Sequence, residues 1–539
     1  MRRGCSSRKK MRERVVASTL TAAFGNGGGA QGRRLDGPDQ GRPSCGGTRD
    51  RAGPRFASPP APPAVGVWAA AGTDSRVPDS SQQRPAYARR LGLFSSTMLV
   101  VGGIIGSGIF LNPSIVAQRV GTAELTLAAW VIGALIALAG ALCFGELGAR
   151  HPRAGGGYAY LRDAFGALPA FLYGWALLLV MATGAIAAVA VTFARYAVAV
   201  AGWPERTTVP LAIGAIVLLT AVNYVGVRPG SVVQNVFTVL KLGALAALIV
   251  AGLAASGVGG APPSETGAAL ASGPASAAGL VRAMGAALVP VLFAYGGWQQ
   301  SNFVAEEIIA PERNLPRALV LGVVVVVAVY VLANVTYLAA LGAPGLAASQ
   351  APAADTMRRL AGSAGATLIS AGIAVSTFGF LNLVILVSPR VYRAMAEDRA
   401  FVPQLAGLHP RFRTPAAALV FQCVWAIVLT LSGSYGALLD WVVFGDWIFF
   451  GLTVATLFVY RRREPPAEGG TAPEGAGAER RHAGYRALGY PLTPALFVLA
   501  AAYVVGSSVL SNPGNALRGT LLLLAGVPVF LYWRRRAAA

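Results

Sequence analysis

The chain has 539 residues, 55% hydrophobic and only 13% charged, with a mean hydropathy of +0.56. A water-soluble protein of this length needs far more charge to cover its surface, so a soluble enzyme or binding module is excluded and a polytopic helical membrane protein is expected. The net charge of +22 does not point to nucleic acid, because the basic residues are dispersed and lack interleaved aromatics.

Residues 1–90 hold seventeen Lys or Arg against six Asp or Glu, and so half of the net charge. The stretch is rich in Arg, Gly, Pro and Ser, with Pro59, Pro60, Pro62 and Pro63 close together. Such a segment cannot bury enough apolar surface to offset its ordering entropy, and it reads as a disordered basic extension or a mis-called start. The apolar stretch after its basic beginning is short and polar for a signal peptide, and a targeting segment or a functional cytoplasmic arm are the remaining readings. Residues 91–539 form the second, membrane-embedded domain.

Within it, about twelve apolar stretches are long enough to cross a bilayer: 93–118, 122–149, 166–200, 207–226, 231–255, 280–307, 315–342, 362–396, 414–433, 437–460, 491–511 and 516–534. Alternate loops carry sixteen arginines on one side, among them Arg150, Arg313, Arg399 and Arg461, against six on the other. By the positive-inside rule both termini lie in the cytoplasm, and the basic surface suits anionic lipid headgroups. Residues 461–490, rich in Pro, Gly, Glu and Arg, read as a flexible cytoplasmic loop. The seventh stretch is expected to start with Asn314 as cap and Pro316 in the first turn.

The first and sixth stretches are broken by clustered glycines, at Gly102–Gly108 and at Gly296–Gly297. Glycine weakens a helix by about 1 kcal/mol relative to alanine, and in lipid the freed backbone groups need another partner. Broken helices at corresponding places point to a secondary transporter built from inverted repeats. Unwinding at Gly106–Ser107–Gly108 would present the amides and positive end of the following half-helix, which suit a carboxylate. Unwinding around Ala294–Gly297 would present carbonyls and a negative end, which suit an ammonium. Together they describe the backbone of an amino acid. The plain alternative is close helix packing through small residues.

Lys241 is the only lysine outside the first ten residues, so every other basic group of the membrane domain is Arg or His. If its helix starts near Ser231, it lies about 15 Å into the bilayer, where a charge costs at least about 2.5–3.5 kcal/mol. Burial disfavours its ammonium form, and lysine, unlike arginine, can release its proton. A structural cation or a snorkelled side chain are the other readings. Glu306 and Glu307 sit in a charged cytoplasmic corner, either solvated or forming a latch, and Asp440 and Asp446 remain open between arginine partners and the outer vestibule. The four cysteines show no disulfide or metal spacing, and no His or Asp/Glu/Cys cluster lies at membrane depth, so no metal, cofactor or enzymatic chemistry is expected.

The motifs Gly102–Phe110 and Phe293–Trp298, with Gly145-Glu146-Leu147, Gly157–Leu161, Gln234–Leu242, Asn302–Glu307 and Ser388–Tyr392, resemble the amino acid–polyamine–organocation superfamily. The likeness is closest to its L-type amino acid transporter branch and to bacterial serine/threonine exchangers, and it covers about residues 91–536. It implies an all-α, LeuT-like fold of twelve transmembrane helices, the first ten forming two inverted five-helix repeats with helices one and six broken. It further implies a substrate carboxylate on amides near Ser107 and Gly108, and an amino group on carbonyls near Ile104, Phe293 and Gly296. Ile105, Gly106, Ala294, Tyr295 and Gln299 complete the expected substrate site. Phe293 matches the outer aromatic gate, and Glu146, Glu306, Glu307, Asp440 and Asp446 are further gate candidates. The resemblance also implies that Lys241 stands in for a sodium ion and serves coupling. Gln299 replaces a different polar residue of many L-type members, so side-chain selectivity does not transfer.

The expected function is secondary transport of neutral amino acids across the inner (cytoplasmic) membrane by alternating access, because neither break carries an acid. Exchange and proton symport stay open, as does any partner subunit. The alternative is an amino-acid-binding sensor that does not transport.

Overall fold

The computed structural model of the protein describes residues 87–256, 276–432, 435–463, 484–511 and 513–538. The reading of residues 1–90 lies outside them except at its last four positions, and the 461–490 loop is described only at its two ends. Among the described residues the secondary structure is helical, apart from a single bridge between Leu91 and Ile308.

The first broken stretch is a bent pair, α1 (Leu93–Ile104) and α2 (Gly108–Val120), turned by 40°. Helix α3 (Ala123–Arg150) follows, capped by Thr122 accepting from the Leu125 amide at 3.2 Å. A short helix, α4 (Gly157–Phe165), which hydropathy did not signal, leads into α5 (Ala167–Ala201). Helix α5 contains one π-helical turn at Leu177–Met181. Next come α6 (Thr208–Tyr224), α7 (Val227–Ser256) and α8 (Ala277–Tyr295). Helix α8 gives way to a 3-10 segment, Trp298–Glu307. The chain continues through α9 (Pro311–Ala348), α10 (Pro352–Val387), α11 (Pro389–Glu397), α12 (Ala416–Ser432), α13 (Tyr435–Arg463), α14 (Leu492–Ser511) and α15 (Pro513–Ala538).

One expected helix start is corrected. Helix α9 begins at Pro311, with Ala310 as its cap in the left-handed region at φ 47°. Proline suits the first helical position, because its missing N–H is an orphan there anyway. Asn314 therefore lies inside the first turn, where its side-chain amide donates to the Ile309 carbonyl.

Nine of the described helices are long and apolar enough to span a bilayer, or ten with the bent pair. Leu135, Val217, Val250, Leu332, Leu499 and Leu521 are exposed on them. An apolar surface this extensive is not left to water, and the protein is a multi-pass membrane protein. Polar side chains turn inward instead. Asn382 joins α10 to α6 and α7 through Asn223 at 3.0 Å and Gln234 at 3.2 Å, all three buried. In an apolar interior such groups are tolerated because each finds a partner.

Candidate functional site

The two helix breaks touch. Gly297 adopts φ +106°, and a Cβ there would sit 2.1 Å from the Gly103 carbonyl oxygen. A Cβ on Gly108 would likewise sit 2.8 Å from the Ala294 methyl. The glycines thus serve both readings of the sequence: they interrupt the helices, and they let the two interruptions approach in backbone contact. Further along, α2 and α8 are tied by Asn112, whose amide donates to the Pro290 carbonyl at 2.7 Å. Pro290 has no N–H for the Ala286 carbonyl four residues earlier, and the Arg119 guanidinium takes that acceptor.

The breaks open on one cavity of about 940 Å³, its open mouth included. Of the predicted substrate residues, Ile104, Gly106, Ser107, Gly108, Phe293, Ala294, Gly296 and Gln299 line it. Ile105 and Tyr295 do not: both are fully buried behind its wall. Tyr295 packs there against Trp130 and Tyr330, with ring centroids 5.7 and 5.1 Å away. Ser107 makes no side-chain cap for α2 and lines the cavity beside the first-turn amides, which have no partner within the helix. On the other side α8 ends in an extended Gly296, whose amide folds back to the Phe293 carbonyl at 3.2 Å. A helix start and a helix end, with opposite partial charges, border the same space.

The carbonyls freed by the first break are held by side chains. Lys241 Nζ donates to Gly102 O at 3.2 Å and to Ile105 O at 2.6 Å, and the lysine is fully buried in α7. Ser376 Oγ of α10 lies 3.3 Å from Ile105 O and 3.2 Å from Gly106 O. Tyr330 of α9 places its hydroxyl 3.1 Å from Ile104 O and 3.3 Å from Ala294 O, so one phenol spans both breaks. Ser376 and Tyr330 were not anticipated. The only sequence signal for either is a polar group inside an apolar run, which many structural residues share.

Helix α5 supplies a further wall, with Tyr173, Leu177, Met181, Ala182, Ala185 and Val189, at and beside its π-helical turn. Such turns widen a helix locally and recur at functional sites. From α13 come Asp446, Trp447 and Phe450. The breaks themselves carry no acid, as read from the sequence, but the cavity they share does.

The remaining gate candidates lie apart from the cavity. Glu146, fully buried on α3, accepts from Arg150 at 2.8 Å, from Arg461 at 2.6 Å and from the Ala487 amide at 2.7 Å. This hub joins α3, α13 and the described end of the 461–490 loop, where Ala487 is buried. Glu306 accepts from the Ala154 amide at 3.0 Å. Glu307 is not solvated: it pairs with buried Arg390 at 2.8 Å. Its backbone carbonyl also accepts from the amides of Arg90 and Leu91 at 2.8 and 2.9 Å. Tyr87 stacks on Arg393 at 4.6 Å from the ring centroid, and burial pushes its phenol up to about 12. Asp440 belongs to α13, and its side chain falls outside the described residues.

Residues 91–531 match the model of the family described as amino acid permease. The chain is 34% identical over 459 residues to the human large neutral amino acids transporter small subunit 2, covering 84% of this chain and 82% of that one. It is 32% identical over 460 residues to the serine/threonine exchanger SteT of Bacillus subtilis (strain 168), covering 84% of this chain and 98% of that protein. The human b(0,+)-type amino acid transporter 1 is 34% identical over 380 residues, 69% of this chain and 76% of that one. With the broken helices, their shared cavity and these relatives in place, the chain belongs to the amino acid permease family.

Proposed function

We propose that this permease carries neutral amino acids across the cytoplasmic membrane by alternating access around its two helix breaks. The observation that carries this reading is the pairing of the α2 amides near Ser107 and Gly108 with the α8 carbonyls near Phe293 on one cavity. A zwitterion fits that pairing, with its carboxylate at the positive helix end and its ammonium at the negative one. The named relatives carry or exchange amino acids, which favours transport over sensing. The broken first and sixth stretches support two inverted five-helix repeats as the moving parts, with Phe293 closing over substrate from outside. The arginine bias of the loops supports cytoplasmic termini. Lys241 supplies the coupling element: its ammonium holds the carbonyls of the first break, so the position a bound cation would fill is already occupied.

The test is counterflow in proteoliposomes across the neutral amino acids, with and without a pH gradient. Uptake driven by internal substrate is expected, and its response to the gradient separates exchange from proton symport. Substrate binding with neither uptake nor counterflow would overturn the proposal in favour of a sensor.

A further inference from the structure

We propose that Asp446 sets substrate preference by accepting a hydrogen bond from a donor at the tip of the substrate's side chain, a hydroxyl, amide N–H or ammonium. This rests on the permease reading above: a hydroxyl or amide donor narrows its neutral substrate class, and an ammonium donor extends it to cationic amino acids. Asp446 stands on α13 and lines the same cavity as the helix breaks, which hold the amino acid backbone in that reading. Among the described residues lining the cavity it is the one charged side chain. It is partly exposed, and among the described residues it has neither an ion-pair partner nor a hydrogen-bond donor. Apolar and aromatic residues line the same cavity, among them Met181, Trp447, Phe450 and Tyr173.

An ionised carboxylate is an acceptor only, and stranding one without a donor in a dry apolar site is strongly unfavourable. While the cavity is open, water supplies the donors. When a substrate fills it and expels that water, the side-chain tip decides the outcome. A hydroxyl or ammonium replaces the lost water bonds, whereas a methyl of equal size leaves the carboxylate bare or forces it to take up a proton, at a cost either way. Sites built around a polar group reject analogues that lack its partner far more strongly than they sort apolar side chains by size. The surrounding aromatic faces also accommodate a cationic tip. The helix breaks thus recognise what all amino acids share, and Asp446 recognises where they differ.

The experiment measures initial counterflow rates of the full chain in proteoliposomes for two matched pairs, threonine against valine and ornithine against norleucine. Each result is read as a ratio, so a general loss of transport cancels. Wild type is expected to favour the donor-bearing member of at least one pair by roughly 10- to 100-fold, the range for a hydrogen bond to a charged group. In Asp446→Leu that ratio should collapse to near one. Asp446→Asn keeps a carbonyl acceptor without the charge, so it should retain part of a threonine preference and lose an ornithine preference. A preference for threonine alone identifies a neutral donor, and one for ornithine identifies a cationic donor. Wild-type ratios near one for both pairs would overturn the proposal, as would a preference that survives Asp446→Leu. Absence of uptake for every amino acid would instead remove the permease reading itself.

Discussion

Replacing Glu307 by Gln would leave the Arg390 guanidinium charged, buried and short of partners. The two side chains are 0% and 2% exposed, and Nε meets Oε1 at 2.8 Å. Nη1 would keep only the Leu386 carbonyl, and Nη2 has no partner even in the intact protein. The lost charge-assisted bond contributes about 1.5–3 kcal/mol, and the stranded cation raises the total to about 3–5 kcal/mol, the usual cost of breaking a buried pair from one side. Arg390→Met should cost a similar amount by stranding Glu307. The double variant Glu307→Gln/Arg390→Met strands no charge and should be more stable than either single one. The assay is a double-mutant cycle on apparent unfolding free energy of the full chain in lipid nanodiscs. A double variant as unstable as the sum of the two singles would refute the coupling, and a Glu307→Gln cost under about 0.5 kcal/mol would mean that the pair is hydrated. Because Glu307 closes the 3-10 segment that leaves the second break, the same pair also ties that segment to α11.

Gly297→Ala should destabilise the fold and reduce counterflow at least about tenfold, since a left-handed φ costs roughly 1–3 kcal/mol and the new Cβ meets Gly103 O. Gly296→Ala, at φ −67° with its nearest contacts at 3.4 Å, should lose much less stability in the same thermal assay, and equal losses would remove the close-approach argument. Lys241→Ala removes the ammonium from the Gly102 and Ile105 carbonyls, leaving only Ser376 on Ile105 O, and should largely abolish uptake. Lys241→Arg keeps a charge that cannot be released, so it should not restore pH-dependent transport, and normal pH-dependent uptake by that variant would exclude a proton-release role.

The parts of the site made from backbone were legible in the sequence, and the parts made from side chains were mostly not. Lipid offers no hydrogen bonds, so an interruption such as Gly106–Gly108 is conspicuous against a uniformly apolar run. The same uniformity conceals which face of a helix points inward. In α13, the sequence set Asp446 deeper than Asp440 but left both open between arginine partners and the outer vestibule, and only the packed structure puts Asp446 on the cavity wall. Tyr330 and Ser376 give no local pattern, because their role depends on carbonyls more than 200 residues away in the chain. Glu146 could be flagged as an acid at a helix end, but its partner Arg461 is 315 residues distant. Lys241 was the exception: a lone lysine deep in an apolar helix is improbable without a partner, so its cost alone marked it. Backbone breaks announce themselves in the sequence, whereas an isolated group such as Asp446 acquires its place only in the folded cavity.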